Sequence, residues 1–154
     1  MGGPLDISEP IVESLYCDAL ILADEARAAF DFSRRFDKAD VDEDFARIAL
    51  SCEALRTTTR MMHVLAWLLK QRAYFRGEMS EFQIRRHGRL PSQAMSDPAQ
   101  LARLDPDVCD LVERTQVFYD RIARIDQGWR ARFEMQPAAI HRLRERLGEA
   151  IGAF

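Results

Sequence analysis

Valine, the residue most typical of strands, is scarce in this chain, while Ala, Leu, Arg and Glu dominate. That balance favours helices and speaks against a sheet. Cysteine is limited to Cys17, Cys52 and Cys109, an odd number without CxxC spacing, so neither a disulfide framework nor a cysteine zinc site is indicated. Each cysteine lies alone in an apolar helical pattern and is expected to be a buried core thiol in a reducing compartment. The longest uninterrupted apolar run, Val64 to Leu69, is far short of the roughly 20 residues that span a bilayer. No basic stretch followed by an apolar core and cleavage site opens the chain. A cytoplasmic location is therefore expected. Charge of one sign is missing too: 22 basic residues face 25 acidic ones, a net of −3. Non-specific nucleic-acid binding relies on a strong positive field that the whole chain does not have.

The chain does have enough apolar sequence for a core. Its 154 residues are 47% apolar and 31% charged, within the range of a single globular domain, and residues 1–154 are read as one helical-bundle domain with a flexible lead at 1–7. Ser8, Glu9 and Pro10 form a helix start, with an acid at the positive dipole end and a proline whose missing N–H costs nothing there. Ile11, Leu15, Ala19, Leu22, Ala26, Ala29 and Phe36 recur at helical spacing and predict a first helix from about Glu9 to Phe36. The acidic patch of Asp37, Asp40, Asp42, Glu43 and Asp44 then reads as a solvated cap. It has neither the turn glycine nor the closing glutamate that a calcium loop needs.

The strongest signal runs from about Val41 to Arg76. Phe45, Ile48, Cys52, Leu55, Thr59, Met62, Ala66, Leu69 and Ala73 alternate spacings of three and four, a heptad seam over about four heptads. A helix this long spans roughly 50 Å, and Gly77 is placed to end it. A second apolar stripe, Leu50, Ala54, Met61, Leu65 and Leu68, lies well away from the first. Two readings stay open: the middle helix of a three-helix bundle touches two partners, and an apolar stripe left uncovered marks an interface. The second stripe is thus a candidate homodimer interface. Glu53, Arg56, Arg60, His63 and Gln71, with Trp67 and Tyr74, are left for a narrow polar face.

From Ser80 the pattern becomes irregular as far as residue 104. Ser80 to Arg86 predicts a short helix; Gly88, Pro91, Ser92 and Ser96 break the periodicity, and Asp97 with Pro98 starts another short piece. Asp105 and Pro106 begin a third long helix, with Val108, Leu111, Thr115, Phe118, Ile122, Ile125 and Trp129 as its seam. An amphipathic helix over 137–154 puts Ile140, Leu143, Leu147 and Ile151 on one side. The expected fold is all-α: an elongated three-helix bundle with a long central helix and short extra helices.

Catalytic chemistry finds little support. His63, His87 and His141 lie on different predicted elements without ligand spacing, so no metal site is assigned. No glycine-rich loop follows a strand to cradle a phosphate, which speaks against nucleotide hydrolysis. The cysteines sit where burial makes them inert, and the carboxylates offer no pair to choose as acid and base. No catalytic or cofactor-binding residues are assigned, and an enzyme is not expected. Arg85, Arg86, His87 and Arg89 form the one compact basic patch, a candidate site for an anion or an acidic partner. A helix-turn-helix does not fit there, because the helix before Gly88 is short and Pro91 interrupts the segment after it. Nucleic-acid binding is kept only as the alternative.

The stretch Arg56 to Glu78, RTTTRMMHVLAWLLKQRAYFRGE, resembles the central helix of the RcdA-like family of alphaproteobacterial proteins, the regulators of CtrA degradation. The matching positions are Thr58, Thr59, Arg60 and Met62, then Trp67, Leu68, Leu69, Gln71, Arg72, Ala73, Gly77 and Glu78. DLVERTQVFYDRIARID, from Asp110 to Asp126, is similar to a second family pattern. Thr57, Met61 and His63 depart from the central-helix pattern, and the region after Trp129 matches the family poorly. The resemblance implies a dimeric three-helix bundle acting as a non-enzymatic adaptor, which links a receiver-domain protein and the ClpXP protease to cargo such as CtrA in cell-cycle-controlled proteolysis.

Overall fold

The fold is described for residues 7–31, 41–135 and 137–152 in a computed structural model. It is all-α, with six helices and no strand among those residues. Helix α1 covers Glu9–Ala29 with its proline in the first turn, although the Ser8 side chain makes no capping bond. The helix stops well short of Phe36, the expected end. Phe30 leaves helical geometry at φ −93°, ψ 21° and is buried in the core, which closes the helix there. Phe36, Asp37 and Asp40 lie outside the described residues.

Helix α2 runs over Val41–Phe75, 35 residues. Its stop is a Schellman motif: Gly77 has φ 77°, its N–H donates to the Tyr74 carbonyl at 3.1 Å, and the Glu78 N–H donates to Ala73 at 2.9 Å. Only glycine takes that left-handed conformation without strain. Helix α3, Glu81–His87, starts with a capping box in which the Ser80 hydroxyl accepts from the Gln83 N–H and the Gln83 side chain accepts from the Ser80 N–H. At its end a Cβ on Gly88 would lie 2.4 Å from the Ile84 carbonyl oxygen, so a glycine is needed for the chain to turn. Helix α4, Pro98–Leu101, is capped by the Asp97 carboxylate, which accepts from the Ala99 N–H. Helices α5, Pro106–Met135, and α6, Pro137–Gly152, complete the chain.

Side-chain pairs between the helices fix their directions. Arg72 near the end of α2 donates to Glu13 near the start of α1 at 2.7 Å, and its guanidinium lies 4.3 Å from the Tyr16 ring centroid. Arg114 of early α5 pairs with Glu25 of late α1. Both α2 and α5 are therefore antiparallel to α1 and parallel to each other, as the Arg60–Thr115 and Trp67–Asp126 bonds also require. Two parallel helices cannot be joined by a tight turn. Residues 76–105 make the return, travelling back along α2 to begin α5.

The core lies among α1, α2 and α5, built from Val12, Leu15, Ala19 and Leu22, from Val64, Trp67 and Leu68, and from Val108, Leu111, Val112 and Ile122. The expected α5 seam faces inward, with Val108, Leu111, Thr115, Ile122 and Trp129 buried. On α2 the expected orientation is reversed. Leu50 and Met61, each at 3% exposure, and Leu68, at 0%, are core residues, and Ala54 and Leu65 pack partly buried against them. Leu50, Met61 and Leu68 have no free surface for a dimer partner, and Ala54 and Leu65 expose only part of theirs. The heptad seam faces outward instead, with Leu55 69% and Met62 63% exposed and Phe45, Ile48 and Leu69 also open to solvent. Much of the expected polar face is inside too: Glu53, Arg60 and Gln71 are buried with Trp67, while Arg56, His63 and Tyr74 are half-buried. The cysteines are not core thiols, since Cys17 is exposed and Cys52 and Cys109 are half-buried. Cys17 sits on the solvent side of α1, and Cys52 belongs to the outward seam.

This reversal has a direct stability test. Leu68→Ala should cost about 2–5 kcal/mol in urea unfolding, because it opens a cavity in a closed core, whereas Leu55→Ala should change stability by under about 0.5 kcal/mol. Equal losses at the two positions would contradict the orientation of α2.

Candidate interaction surfaces

The return segment is held in place by side chains. Past the stop of α2, backbone–backbone hydrogen bonds of this segment are confined to α3, α4 and their turns, and between them the stretch 89–97 lies against α2 and α5. Asp126, buried on α5, accepts from the Trp67 indole N–H at 3.0 Å on Oδ1 and from the Leu90 backbone N–H at 3.3 Å on Oδ2. Arg130 Nε donates to both carboxylate oxygens, at 3.1 and 3.2 Å. One buried carboxylate thereby joins α2, α5 and the return segment, its charge balanced by a guanidinium and two further donors. Nearby, the Tyr119 hydroxyl of α5 donates to the Pro91 carbonyl.

Arg60 makes the next set of attachments. Its Nε donates to Gln93 Oε1 at 3.0 Å, one Nη to Thr115 at 3.0 Å and to Thr57 at 3.4 Å, and the other to the Ala94 carbonyl at 3.3 Å. Gln93 in turn donates to Asp120 at 2.7 Å. Buried Glu53 accepts from the Ser96 hydroxyl at 2.5 Å, and Ser96 accepts from Gln116; Arg56 reaches Gln100 at 2.7 Å. Thr57, β-branched and so unfavourable in mid-helix, and the burial of Arg60 are explained by these contacts. Burial lowers the Arg60 pKa, with Glu53 and Asp120 opposing that shift. Burial likewise pushes the Tyr119 phenol up from its ordinary value, against the nearby Arg60 charge. Gln71 is as buried as these groups, yet neither of its amide atoms has a partner among the described residues; no contact accounts for it.

Because these polar groups occupy the inner side of α2, its heptad seam is left uncovered. Phe45, Ile48, Leu55, Met62 and Leu69 form an apolar stripe along the helix, interrupted by the smaller Cys52, Thr59 and Ala66. At its start the Arg103 guanidinium lies 5.3 Å from the Phe45 ring centroid. A second uncovered stripe lies on α6, where Leu143, Leu147 and Ile151 are exposed beside Arg142, Arg144 and Arg146.

The basic patch is partly assembled. Arg85 and Arg86 of α3 and Arg89 just beyond it line a cleft of about 550 Å³, opposite Gln127 and Arg130 of α5 and beside Phe82. His87 is not part of it; its carbonyl accepts from Lys70 Nζ at 2.8 Å and its side chain is exposed elsewhere. Nothing in the sequence singles out Arg130 for this patch, because it sits far along the chain from Arg89 in a helix rich in arginine. Among the described residues no group of three or more metal-ligating side chains converges, and no helix is long and apolar enough to cross a membrane.

The family whose sequence pattern matches residues 5–151 is described as a protein of unknown function (DUF1465). The chain belongs to the DUF1465 family. No curated protein and no solved structure matches it. The match spans α1 through nearly all of α6, so this arrangement of helices belongs to a DUF1465 chain over almost its full length.

Two measurements check the network. Asp126→Ala should destabilise by about 3–5 kcal/mol, since it leaves Arg130 as an uncompensated charge, and should open the 88–97 stretch to limited proteolysis. Spectrophotometric titration should find one tyrosine ionising above the ordinary tyrosine range. A phenol whose folded pKa is raised contributes stability that is complete below its unfolded pKa and is lost as pH climbs through the folded one, so Tyr119→Phe should flatten the alkaline limb of stability against pH.

Proposed function

We propose that this DUF1465 protein is a non-enzymatic, homodimeric adaptor of the kind its RcdA-like sequence resemblance implies, one that brings a receiver-domain protein and the ClpXP protease to cargo in cell-cycle-controlled proteolysis. The observation that carries this reading is the presence of two separate uncovered apolar helix faces, on α2 and α6. Contiguous exposed apolar surface in a folded chain marks interaction sites, and an adaptor needs more than one.

The two faces suit different partners. A heptad seam is matched best by a second seam of the same spacing, because each apolar side chain inserts among four residues of a facing helix. A second copy of α2 supplies this through an isologous contact in which the same patch serves both subunits. The α6 face is shorter and flanked by arginines, so it fits a groove on a different, acidic partner by the helix-in-groove mode. The matched motif is consistent with a scaffolding role: Arg60, Trp67 and Asp126 hold the framework, and none of them is left over for chemistry.

Light scattering should give twice the 17.7 kDa chain mass at tens of micromolar, and the double variant Leu55→Glu/Met62→Glu should be a folded monomer. These two side chains are exposed in one chain, so loss of the dimer without loss of helix identifies the α2 face. A monomeric wild type would remove the dimer from the proposal. For the adaptor role, ClpX, a receiver-domain protein or cargo should co-purify with the wild type, and Leu143→Glu/Leu147→Glu should reduce that capture. Absence of all three from the bound fraction would overturn it.

A further inference from the structure

The outward seam of α2 carries a second regularity within its heptads. Counted from Phe45, its small members, Cys52, Thr59, Ala66 and Ala73, all fall on the first position of a heptad, and its large ones, Ile48, Leu55, Met62 and Leu69, all fall on the fourth. The large side chains are 48% to 69% exposed, so this alternation is written on a surface that nothing in the chain covers. Charge along the surface is sorted as well. No fully exposed residue of α2 from Phe45 to Leu69 is charged, whereas Asp44 just before this stretch and Arg76 just beyond the helix are both exposed. One end of the seam is acidic and the other basic, with Arg103 beside Phe45 offsetting part of the acidic end.

We infer that two copies of the chain join through this seam with their α2 helices antiparallel, Cys52 of each opposite Leu69 of the other. The inference rests on the homodimer reading above and adds to it a direction and a register. In a parallel, in-register pair like positions face each other, so layers of two small residues would alternate with layers of two large ones. The large layers would hold the helices apart and leave gaps at the small ones, forfeiting contact there. In an antiparallel pair the first position of one heptad faces the fourth position of another, and each side chain still inserts among four residues of the facing helix.

The antiparallel register sets Ile48 against Ala73, Cys52 against Leu69, Leu55 against Ala66 and Thr59 against Met62. Every layer then holds one large and one small side chain, the arrangement that lets facing positions interdigitate at even spacing. Phe45, large at a first position, falls opposite Arg76 of the second copy, a cation suited to its ring face. Asp44 lies beside that same Arg76, and the two helix dipoles oppose, whereas parallel helices would bring like charges together at both ends. Exposed charges of this kind select orientation more than they add affinity. A shift by one heptad keeps the alternation but sets Phe45 against Leu69, two large residues, and carries Arg76 past the acidic end.

The test is oxidative cross-linking of the full chain at tens of micromolar, with light scattering on every variant. Cys17, which is exposed, is replaced by Ser throughout; Cys109 stays, its thiol being bonded to the Leu101 carbonyl. In the antiparallel pair the two Cys52 residues are separated by roughly 25 Å along the axis, far beyond the about 7 Å that a disulfide allows between Cα atoms. Cys52 alone should therefore give no disulfide dimer, Leu69→Cys should give one, and adding Cys52→Ser should abolish it. Should Leu69→Cys lower the dimer fraction, a Leu55→Cys chain mixed with an Ala66→Cys chain, both also Cys52→Ser, reads the same register from a central layer: the mixture should cross-link and neither chain alone. A disulfide formed by Cys52 alone means parallel helices and overturns the inference while leaving the homodimer. A dimer by light scattering that links neither designed pair overturns it equally. A monomer overturns the homodimer reading itself, and this inference with it.

Discussion

The buried carboxylate of Asp126 is the constraint on which the rest of the architecture depends. A charge in the interior is tolerated only when its partners are complete, and those partners come from three parts of the chain: the Trp67 indole, the Leu90 backbone and the Arg130 guanidinium. Satisfying Asp126 fixes the rotation of α2 about its axis, the parallel run of α2 and α5, and the path of the returning segment. Farther along the same groove Arg60 and Glu53 repeat the arrangement with Gln93, Ala94 and Ser96. The segment therefore takes the place that a fourth helix would occupy in an up-and-down bundle. Polar side chains, more than apolar area, hold it there.

The outward seam of α2 is a consequence of this network. Rotating α2 to bury Leu55 and Met62 would bring Glu53, Arg60 and Trp67 away from the groove and leave Asp126 without its indole donor. The apolar stripe is exposed because the other side of the helix is committed to polar partners. The uncovered apolar surface and the interior that defines the fold are thus opposite faces of one helix. A change to the inner face that frees α2 to turn would also withdraw the outer one.

Much of the fold was legible in the sequence because helix ends are local events. Gly77, Ser80, Asp97–Pro98 and Asp105–Pro106 each mark a boundary with groups only a few residues apart. The α5 seam was legible as well, since that helix has one apolar stripe and charged residues elsewhere. The orientation of α2 was not. It carries two apolar stripes, so periodicity fits either rotation, and the choice rests on buried polar groups whose partners lie 33 to 59 residues away. Charged and amide side chains are ordinarily assigned to solvent, which placed Glu53, Arg60 and Gln71 on the wrong side. The arginine cleft was half legible for the same reason: Arg85, Arg86 and Arg89 are neighbours in sequence, whereas Arg130 and Gln127 join them only through the fold, where Arg130 reaches the Arg85 carbonyl.

The parallel pairing of α2 and α5 also orders events during synthesis. Helices α1 and α2 are adjacent and antiparallel, so they can associate as soon as both have emerged, through contacts of short sequence separation. The segment after α2 has its first anchors on that helix already made, yet Tyr119, Asp120 and Asp126 lie ahead of it in the chain. Until those residues leave the ribosome the indole of Trp67 and the guanidinium of Arg60 face a groove that has only one wall. The middle of this polypeptide is therefore the last part to be locked.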